Sequence, residues 1–243
     1  WKINGAPIAA TSYNFNALSA MVGKTLTLKV KDADTGGHPA TESVASTSFH
    51  VKGTIALGTF TINGAAVSSG QTFTVGNPVS LAWSNTGNIT SFNVYHVISG
   101  AETLINTGGA IAATTYAFNA PVGMVGKSIT LKVKDYDITD HPDTISAASN
   151  AFDLQGTLSL ASLTINGLTV SSGQTFAVGD PVAIAWTPNG IAQFDVYYKI
   201  GAGSDVKANG GVITGQNNYS FNVLSGMVGK VLVLKVKEAD INH

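Results

Sequence analysis

The fold is decided by residues 124–135, which read MVGKSITLKVKD and occur three times in the chain. The earlier copy is MVGKTLTLKVKD at 21–32, and the later one is MVGKVLVLKVKE at 227–238. Both steps are 103 residues long (124 − 21 and 227 − 124). The second half of each copy alternates apolar with polar residues, which is the period of a strand with one buried face. A fixed period of this length indicates an array of similar modules and favours a structural or adhesive protein over an enzyme.

The period divides the 243 residues into one complete module and two partial ones. We predict a complete unit over 57–156, the C-terminal part of a unit over 1–56 and the N-terminal part of a third over 157–243. About one hundred residues is the usual size of a compact domain. The linker around Gly156 is very short, so we expect neighbouring modules to pack end to end, in an array that continues beyond these residues.

Within the complete unit, short β-rich runs alternate with turn signals such as Asn63-Gly64. The predicted strands are Phe60–Ile62, Thr72–Val75, Val79–Trp83, Phe92–Val97, Thr115–Phe118, Ser128–Lys134 and Ser149–Leu154. Only one short helical turn is expected, over Val122–Lys127, because its glycines oppose a longer helix. About seven antiparallel strands in one hundred residues predict an all-β fold of tandem immunoglobulin-like β-sandwich repeats.

Composition excludes several kinds of partner and site. The formal net charge is −1 and only 11% of residues are charged, which argues against nucleic acid as a partner. The chain has no cysteine, so disulfides, thiolate metal sites and cysteine nucleophiles are excluded. No apolar run approaches the roughly 18 residues of a transmembrane helix. We therefore expect an extracellular or cell-surface protein without a transmembrane segment.

A polar loop follows the strongest strand of the complete unit. Alternating carboxylates at a strand end offer the hard oxygen ligands that calcium prefers. The candidate calcium ligands are Asp135, Asp137, Asp140 and Asp143. The alternative is a polar loop that closes the sheet end with Asx turns and binds no metal. Beyond this calcium, the sequence predicts no cofactor.

Aromatic side chains that recur between the repeats suggest a carbohydrate-binding interpretation. Trp83 and Trp186 share the face of neighbouring apolar strand residues, so we predict that they lie in the core. Tyr95, Tyr197 and Tyr198 are better candidates for an exposed aromatic surface. No nucleophile elbow, phosphate-binding loop, zinc-protease motif or dinucleotide fingerprint is present, and we predict that this chain is not an enzyme.

The spaced pattern GKTL, Asp32, Gly36 and ESV at 42–44 resembles a phrase of bacterial immunoglobulin-like tandem repeats in large surface adhesins and biofilm-matrix proteins. The strand pair Val79–Trp83 and Phe92–Val97 also resembles that of Ser/Thr-rich surface modules. These resemblances imply tandem extracellular sandwiches that act as stalk, fibre or adhesin. They imply no particular ligand.

The sequence therefore favours a structural repeat segment of a long extracellular protein, forming a stalk, fibre or sheath. It would associate with neighbouring units or other copies in a fibre. Two alternatives remain open. One is an adhesin or carbohydrate-binding module with a glycan or cell-surface partner, and the other is an accessory region of a secreted polysaccharide-degrading enzyme.

Overall fold

The structure of the protein is a computed structural model, which describes residues 11–32, 44–137 and 146–239. Its regular elements are strands and three single-turn 3-10 helices, Ser19–Met21, Val122–Met124 and Ser225–Met227. The first strands are β1 (Thr25–Leu26), β2 (Lys29–Val30), β3 (Val44–Ala45) and β4 (Phe49–His50). Those that follow are β5 (Thr54–Ile62), β6 (Ala65–Ala66), β7 (Gln71–Thr74), β8 (Pro78–Thr86), β9 (Phe92–Ile98), β10 (Ala101–Leu104), β11 (Thr115–Asn119), β12 (Ser128–Asp135), β13 (Ala147–Ala148) and β14 (Phe152–Gln155). The last are β15 (Thr157–Ile165), β16 (Leu168–Thr169), β17 (Pro181–Asn189), β18 (Gln193–Ile200), β19 (Asp205–Lys207), β20 (Ile213–Thr214), β21 (Asn218–Asn222) and β22 (Leu232–Glu238).

These strands form several small sheets, which confirms the predicted all-β class. Two pairs, β1 with β4 and β2 with β3, come first. A six-stranded sheet follows in the order β10-β9-β12-β14-β7, with β13 beside β12, and a four-stranded sheet has the order β11-β8-β5-β6. Further along, β16-β15-β17-β21 make one sheet, while β18 pairs with β19, β20 and β22.

The chain divides into two compact units. The first comprises Trp1–Ala66, Ser80–Ala117 and Thr130–Asn150, and the second comprises Val67–Val79, Phe118–Ile129 and Ala151–His243. The predicted boundaries of the sequence modules, at 56/57 and 156/157, stay a prediction.

The core of the first unit is built from the alternating residues of its strands. Leu81 and Trp83 of β8 are buried, as are Phe92 and Val94 of β9. The Trp83 and Phe92 rings meet edge to face, with centroids 5.2 Å apart. Leu131 of β12 is also fully buried, as the period-two pattern predicts.

The second unit repeats this packing with its own strands. Ile184 and Trp186 of β17 pack on Phe194 and Val196 of β18. The Trp186 and Phe194 ring centroids are again 5.2 Å apart. The sequence prediction that both tryptophans are core residues is therefore confirmed, because each is at most 4% exposed.

Several strands differ from the sequence prediction. The strand β5 begins at Thr54, six residues before the predicted Phe60, and the two-residue strands β6 and β13 were not predicted. The strand β10 was not predicted, because Ala101–Leu104 is polar and largely exposed. It forms because Ser99 and Gly100 both have positive φ and turn the chain back onto β9. The strand β14 begins at Phe152, three residues later than predicted.

Candidate functional site: the valine–glycine joints

The valine of the first repeated phrase packs against a glycine turn far along the chain. Val22, which follows the helix Ser19–Met21, is only 6% exposed. A Cβ placed on Gly87 would lie 2.4 Å from Val22 Cγ2, and Gly87 has φ +88°. Both the space and the backbone conformation therefore require glycine at this position.

A second glycine closes the same contact from the linker. Gly53 is buried, and a Cβ there would lie 3.0 Å from Ile89 Cδ1 and 3.1 Å from Val22 Cγ1. Nearby, the Thr54 and Thr86 hydroxyls are 2.7 Å apart. We call the set Val22, Gly53, Gly87 and Ile89 the first joint.

The same arrangement occurs once more, inside the second unit. Val125 is 6% exposed, and a Cβ on Gly190 (φ +82°) would lie 2.5 Å from Val125 Cγ2. A Cβ on Gly156 would lie 2.6 Å from Ile191 Cγ1. We call the set Val125, Gly156, Gly190 and Ile191 the second joint. In each joint the valine precedes its glycine partner by 65 residues (87 − 22 and 190 − 125).

The third copy of the valine has no such cover. Val228, 103 residues after Val125, is 63% exposed. The methionine before it, Met227, is buried like Met21 and Met124. The valine thus changes from buried to exposed while its local structure stays the same, so its burial in the joints comes from the glycine turn.

Local backbone bonds hold each valine in place. Met124 anchors a single 3-10 turn whose C-cap is Val125, with the Val125 N–H donating to the Val122 carbonyl. The next N–H, of Gly126, donates to the Leu154 carbonyl at 2.8 Å. In the first joint the Gly23 N–H donates to the Val51 carbonyl in the same way, at 3.2 Å. These bonds fix the backbone on either side of the valine, and none of them involves the glycine turn against which the valine packs.

Two buried asparagines, Asn106 and Asn209, hydrogen-bond strands β9 and β18, and the sequence patterns did not predict them. The Asn106 Oδ1 accepts the Val94 N–H at 2.7 Å, while its Nδ2 donates to Asn93 and to the Gly109 carbonyl. Their only sequence signal is an Asn shortly before a Gly-Gly pair, two residues before Gly108 for Asn106 and directly before Gly210 for Asn209.

Asn209 makes the equivalent bonds in the second unit. Its Oδ1 accepts the Val196 N–H at 2.7 Å, and its Nδ2 donates to Asp195 and the Gly211 carbonyl. Burial by itself raises the pKa of Asp195, but hydrogen bonds from Lys207 and Asn209 outweigh it and leave that pKa below its ordinary value.

The outward face of the strongest strand carries lysines that share one carboxylate. Lys235 and Lys237 of β22 lie 2.9 and 2.8 Å from Asp205. Their hydrogen bonds lower the pKa of Asp205 to about 2, and the same contact raises that of Lys237. In the complete repeat, Lys134 and Lys132 bind Glu102 and lower its pKa.

These lysines also cover the tyrosines that the sequence singled out. Lys237 Nζ lies 4.7 Å from the centroid of Tyr197, and Lys134 Nζ lies 5.1 Å from that of Tyr95. Tyr198 faces the other way and packs on the core cluster beside Phe221. In each of the two outward tyrosines, Tyr95 and Tyr197, a lysine ammonium therefore lies over a ring face on which a sugar could stack.

The calcium ligands predicted from sequence are only partly within the described residues. Asp135 is buried, and its Oδ1 accepts the Asp137 N–H at 3.0 Å, which is an Asx turn. Asp140 and Asp143 lie outside the described residues. Within 11–32, 44–137 and 146–239, no three His, Asp or Glu side chains gather as a metal site would require. The calcium site stays a prediction.

Comparison with known proteins gives distant resemblances. No family model and no curated protein matches the chain. Among solved structures, it is similar to a tetra-tandem repeat in the extending region of a large adhesion protein, at 14% identity and TM-score 0.32, over 81% of this chain and 51% of that one. It is also similar to dimeric latent PorU from Porphyromonas gingivalis, at 12% identity and TM-score 0.26, over 73% and 24%. A third is apo β-glucuronidase 3 from Bacteroides uniformis, at 10% identity and TM-score 0.20, over 70% and 22%. The chain thus spans about half of the first structure and less than a quarter of the other two.

No helix in the described ranges has the length and apolar character needed to cross a membrane.

Proposed function

We propose that this chain is a non-catalytic structural segment of a long extracellular surface protein, in which successive modules are fixed to one another by valine–glycine joints. The observation that carries the proposal is that both joints use the same side chain, the same turn glycine and the same spacing. A spacer needs each junction to hold the same geometry, so that the array keeps its direction.

The chemistry of the joint suits a mechanical role. The contact is apolar and close-packed, and in each joint it depends on a turn glycine, Gly87 or Gly190, that no other residue replaces without a clash. Packing of this kind allows little sliding, because a shift of a few tenths of an ångström already forces atoms into overlap. The partners of each module are therefore its neighbours in the array.

The surface chemistry supports a spacer more than a sugar-binding module. Each outward tyrosine ring described above lies under a lysine, and that lysine is itself bound to a carboxylate. Charged outward residues on strands also discourage edge-to-edge aggregation between copies. Such a surface keeps long arrays apart in water.

The test measures how rigid the second joint is. The chain contains no cysteine, so Ser69→Cys and Ser172→Cys place two spin labels at exposed turn positions that correspond in the two repeats. We expect a narrow distance distribution by pulsed electron resonance. The matched variant Gly190→Val should open the joint and broaden the distribution.

An unmodified chain whose distribution is as broad as that of Gly190→Val would refute the spacer proposal. Doubly labelled protein with Gly215→Val provides the matched control, because Gly215 also has positive φ but nothing lies within 4 Å of a Cβ there. This control carries the backbone strain without the joint clash, so the distribution should stay narrow.

A further inference from the structure

An asparagine–glycine pair lies inside the second joint. Asn189 is the last residue of β17 and is exposed, and it is followed directly by Gly190. The φ of +82° and the contact with Val125 require glycine at that position. In an asparagine–glycine pair the glycine nitrogen can attack the side-chain amide with little hindrance, because glycine has no side chain beside it. The joint therefore contains a reactive pair at its point of contact.

The first joint has no such pair. Its turn glycine, Gly87, follows Thr86, whose hydroxyl lies 2.7 Å from that of Thr54. Asn189 takes the place of Thr86 in the second joint and lies opposite Thr157 in the register of β15 and β17. Thr86 and Asn189 are both exposed, so exposure at this position is shared by the two repeats. The two joints thus differ in chemistry at one position of similar structure.

The closed joint holds the peptide between Asn189 and Gly190 in an unreactive geometry. A Cβ on Gly156 would lie 2.7 Å from the Asn189 carbonyl oxygen, so the linker packs directly against this peptide. In an extended strand the next peptide nitrogen is turned aside from Cβ, and ring closure requires rotation about the Asn189 Cα–C bond. That rotation moves the carbonyl oxygen that Gly156 contacts. The closed joint therefore opposes the reaction, and an open joint permits it.

We propose that Asn189 is a self-modifying site, which deamidates when the second joint opens. The Gly190 nitrogen loses its proton to water and bonds to Asn189 Cγ, the Cγ–Nδ2 bond breaks, and ammonia leaves after taking a proton from water. Water then adds to one of the two carbonyls of the succinimide ring and opens it, which gives aspartate or isoaspartate. The net reaction consumes one water and releases one ammonia, and it requires no oxidant, reductant or enzyme.

The isoaspartate product is unable to restore the joint. It routes the main chain through Cβ, which lengthens the chain by one methylene immediately before Gly190 and adds a negative charge. The fit has no room for such a displacement, because a Cβ on Gly190 would already lie 2.5 Å from Val125 Cγ2. Opening therefore leaves a permanent covalent change at the joint. This inference rests on the proposed function, since it assigns a chemical lifetime to the joint that fixes neighbouring modules.

Three other asparagine–glycine pairs within the described residues provide internal references. Asn63 and Asn166 both have φ +51° in hairpin turns, and in this left-handed conformation the next nitrogen lies nearly opposite Cβ. Asn209 is 4% exposed, and its side chain makes three hydrogen bonds. None of these pairs belongs to a joint, so their reaction reports global unfolding and not opening of a joint.

The test follows deamidation at the four pairs in the full chain, incubated in mildly alkaline buffer. Peptide mapping by mass spectrometry identifies the products, and methylation by an isoaspartyl methyltransferase measures isoaspartate. Val125→Ala should weaken the joint and accelerate the reaction of Asn189 about tenfold or more, while the other three pairs keep their rates. Val228→Ala changes the same repeated phrase outside the joints and should leave all four rates unchanged. The unmodified chain in urea gives the rate of each unprotected pair.

The effect of the product on the joint is tested with the same spin labels that test the spacer. After long incubation the doubly labelled chain should give a broader distance distribution. Asn189→Gln treated in the same way should stay narrow, because glutamine would have to close a larger and less favourable ring. Equal broadening of the two chains would contradict release of the joint by the modification.

Two results of the mapping would overturn the proposal. One is an equal rate at Asn189 in the unmodified chain and in Val125→Ala. The other is acceleration of all four pairs together, because the chain would then react through global unfolding. A narrow distance distribution without joint-dependent deamidation would refute the modification site alone. A broad distribution in a chain whose Asn189 is still protected relative to urea would refute the spacer alone.

Discussion

Truncation of the second joint's valine, Val125→Ala, should destabilise the protein by about 2–3 kcal/mol. The change removes two methyl groups from a side chain that is 6% exposed. At about 0.8 kcal/mol for each buried carbon, transfer to water alone costs about 1.6 kcal/mol. The remaining cost comes from the cavity, because Gly190 has no side chain that could move to fill it.

The chain contains its own control for this measurement. Val228 has the same neighbours in sequence and follows the same 3-10 turn, but it is 63% exposed. Val228→Ala should therefore change stability by no more than about 0.5 kcal/mol. The difference between the two variants measures what the joint adds.

A double-mutant cycle shows that the contact itself is responsible. Gly190→Ala introduces a Cβ 2.5 Å from Val125 Cγ2 and also forces alanine into positive φ. The φ penalty is about 1–2 kcal/mol and remains in any background, whereas the close contact with Val125 Cγ2 is removed when residue 125 is alanine and only the 3.0 Å contact with its Cβ remains. The double variant should be less destabilised than the sum of the two single variants.

Stability would be followed by urea unfolding, with tryptophan fluorescence as the signal from Trp83 and Trp186. Equal losses for Val125→Ala and Val228→Ala, or full additivity in the cycle, would refute the joint as described.

The remaining predictions concern the polar groups. Asn209→Ala should cost about 1–3 kcal/mol, because it leaves the buried Val196 N–H without its acceptor, and an unchanged stability in urea unfolding would contradict this role. Lowering the pH from about 4 to about 2 should weaken the cluster formed by Asp205, Lys235 and Lys237. The folded pKa of Asp205 is about 2, below its ordinary 3.8, so its stabilising contribution is present above that window and is lost as the pH falls. Melting temperatures of Asp205→Asn should accordingly fall less steeply than those of the unmodified chain in that window, and parallel curves would count against the cluster. For calcium at Asp135 and its loop, melting with and without a chelator decides the matter, since an unchanged transition would end that hypothesis.

Residues whose environment is set by their own strand were predictable from sequence. Ile129, Leu131 and Val133 alternate with polar residues, and all three are buried as expected. In these cases the period alone identifies the buried face.

The joints were beyond the reach of local patterns. The same Met-Val-Gly triplet occurs in all three copies, yet the valine is buried in two and exposed in the third. Burial of the valine depends on a turn glycine 65 residues later in the chain. The sequence pattern around the valine contains no information about that glycine. The segment QTF also differs between copies, because it forms a strand where it begins at Gln71 and does not where it begins at Gln174. Pairing, more than propensity, made that strand.

The spacing of the joints has a consequence for how such a chain is made. During synthesis Val22 emerges from the ribosome 65 residues before Gly87, so each module waits, with an apolar side chain in water, until the next module folds. In the proposed array, folding would then proceed from the N-terminus one module at a time, and each new module would bury the valine that the previous module left exposed. In the proposed array, the module at the growing end would therefore be the least stable one until its successor folds.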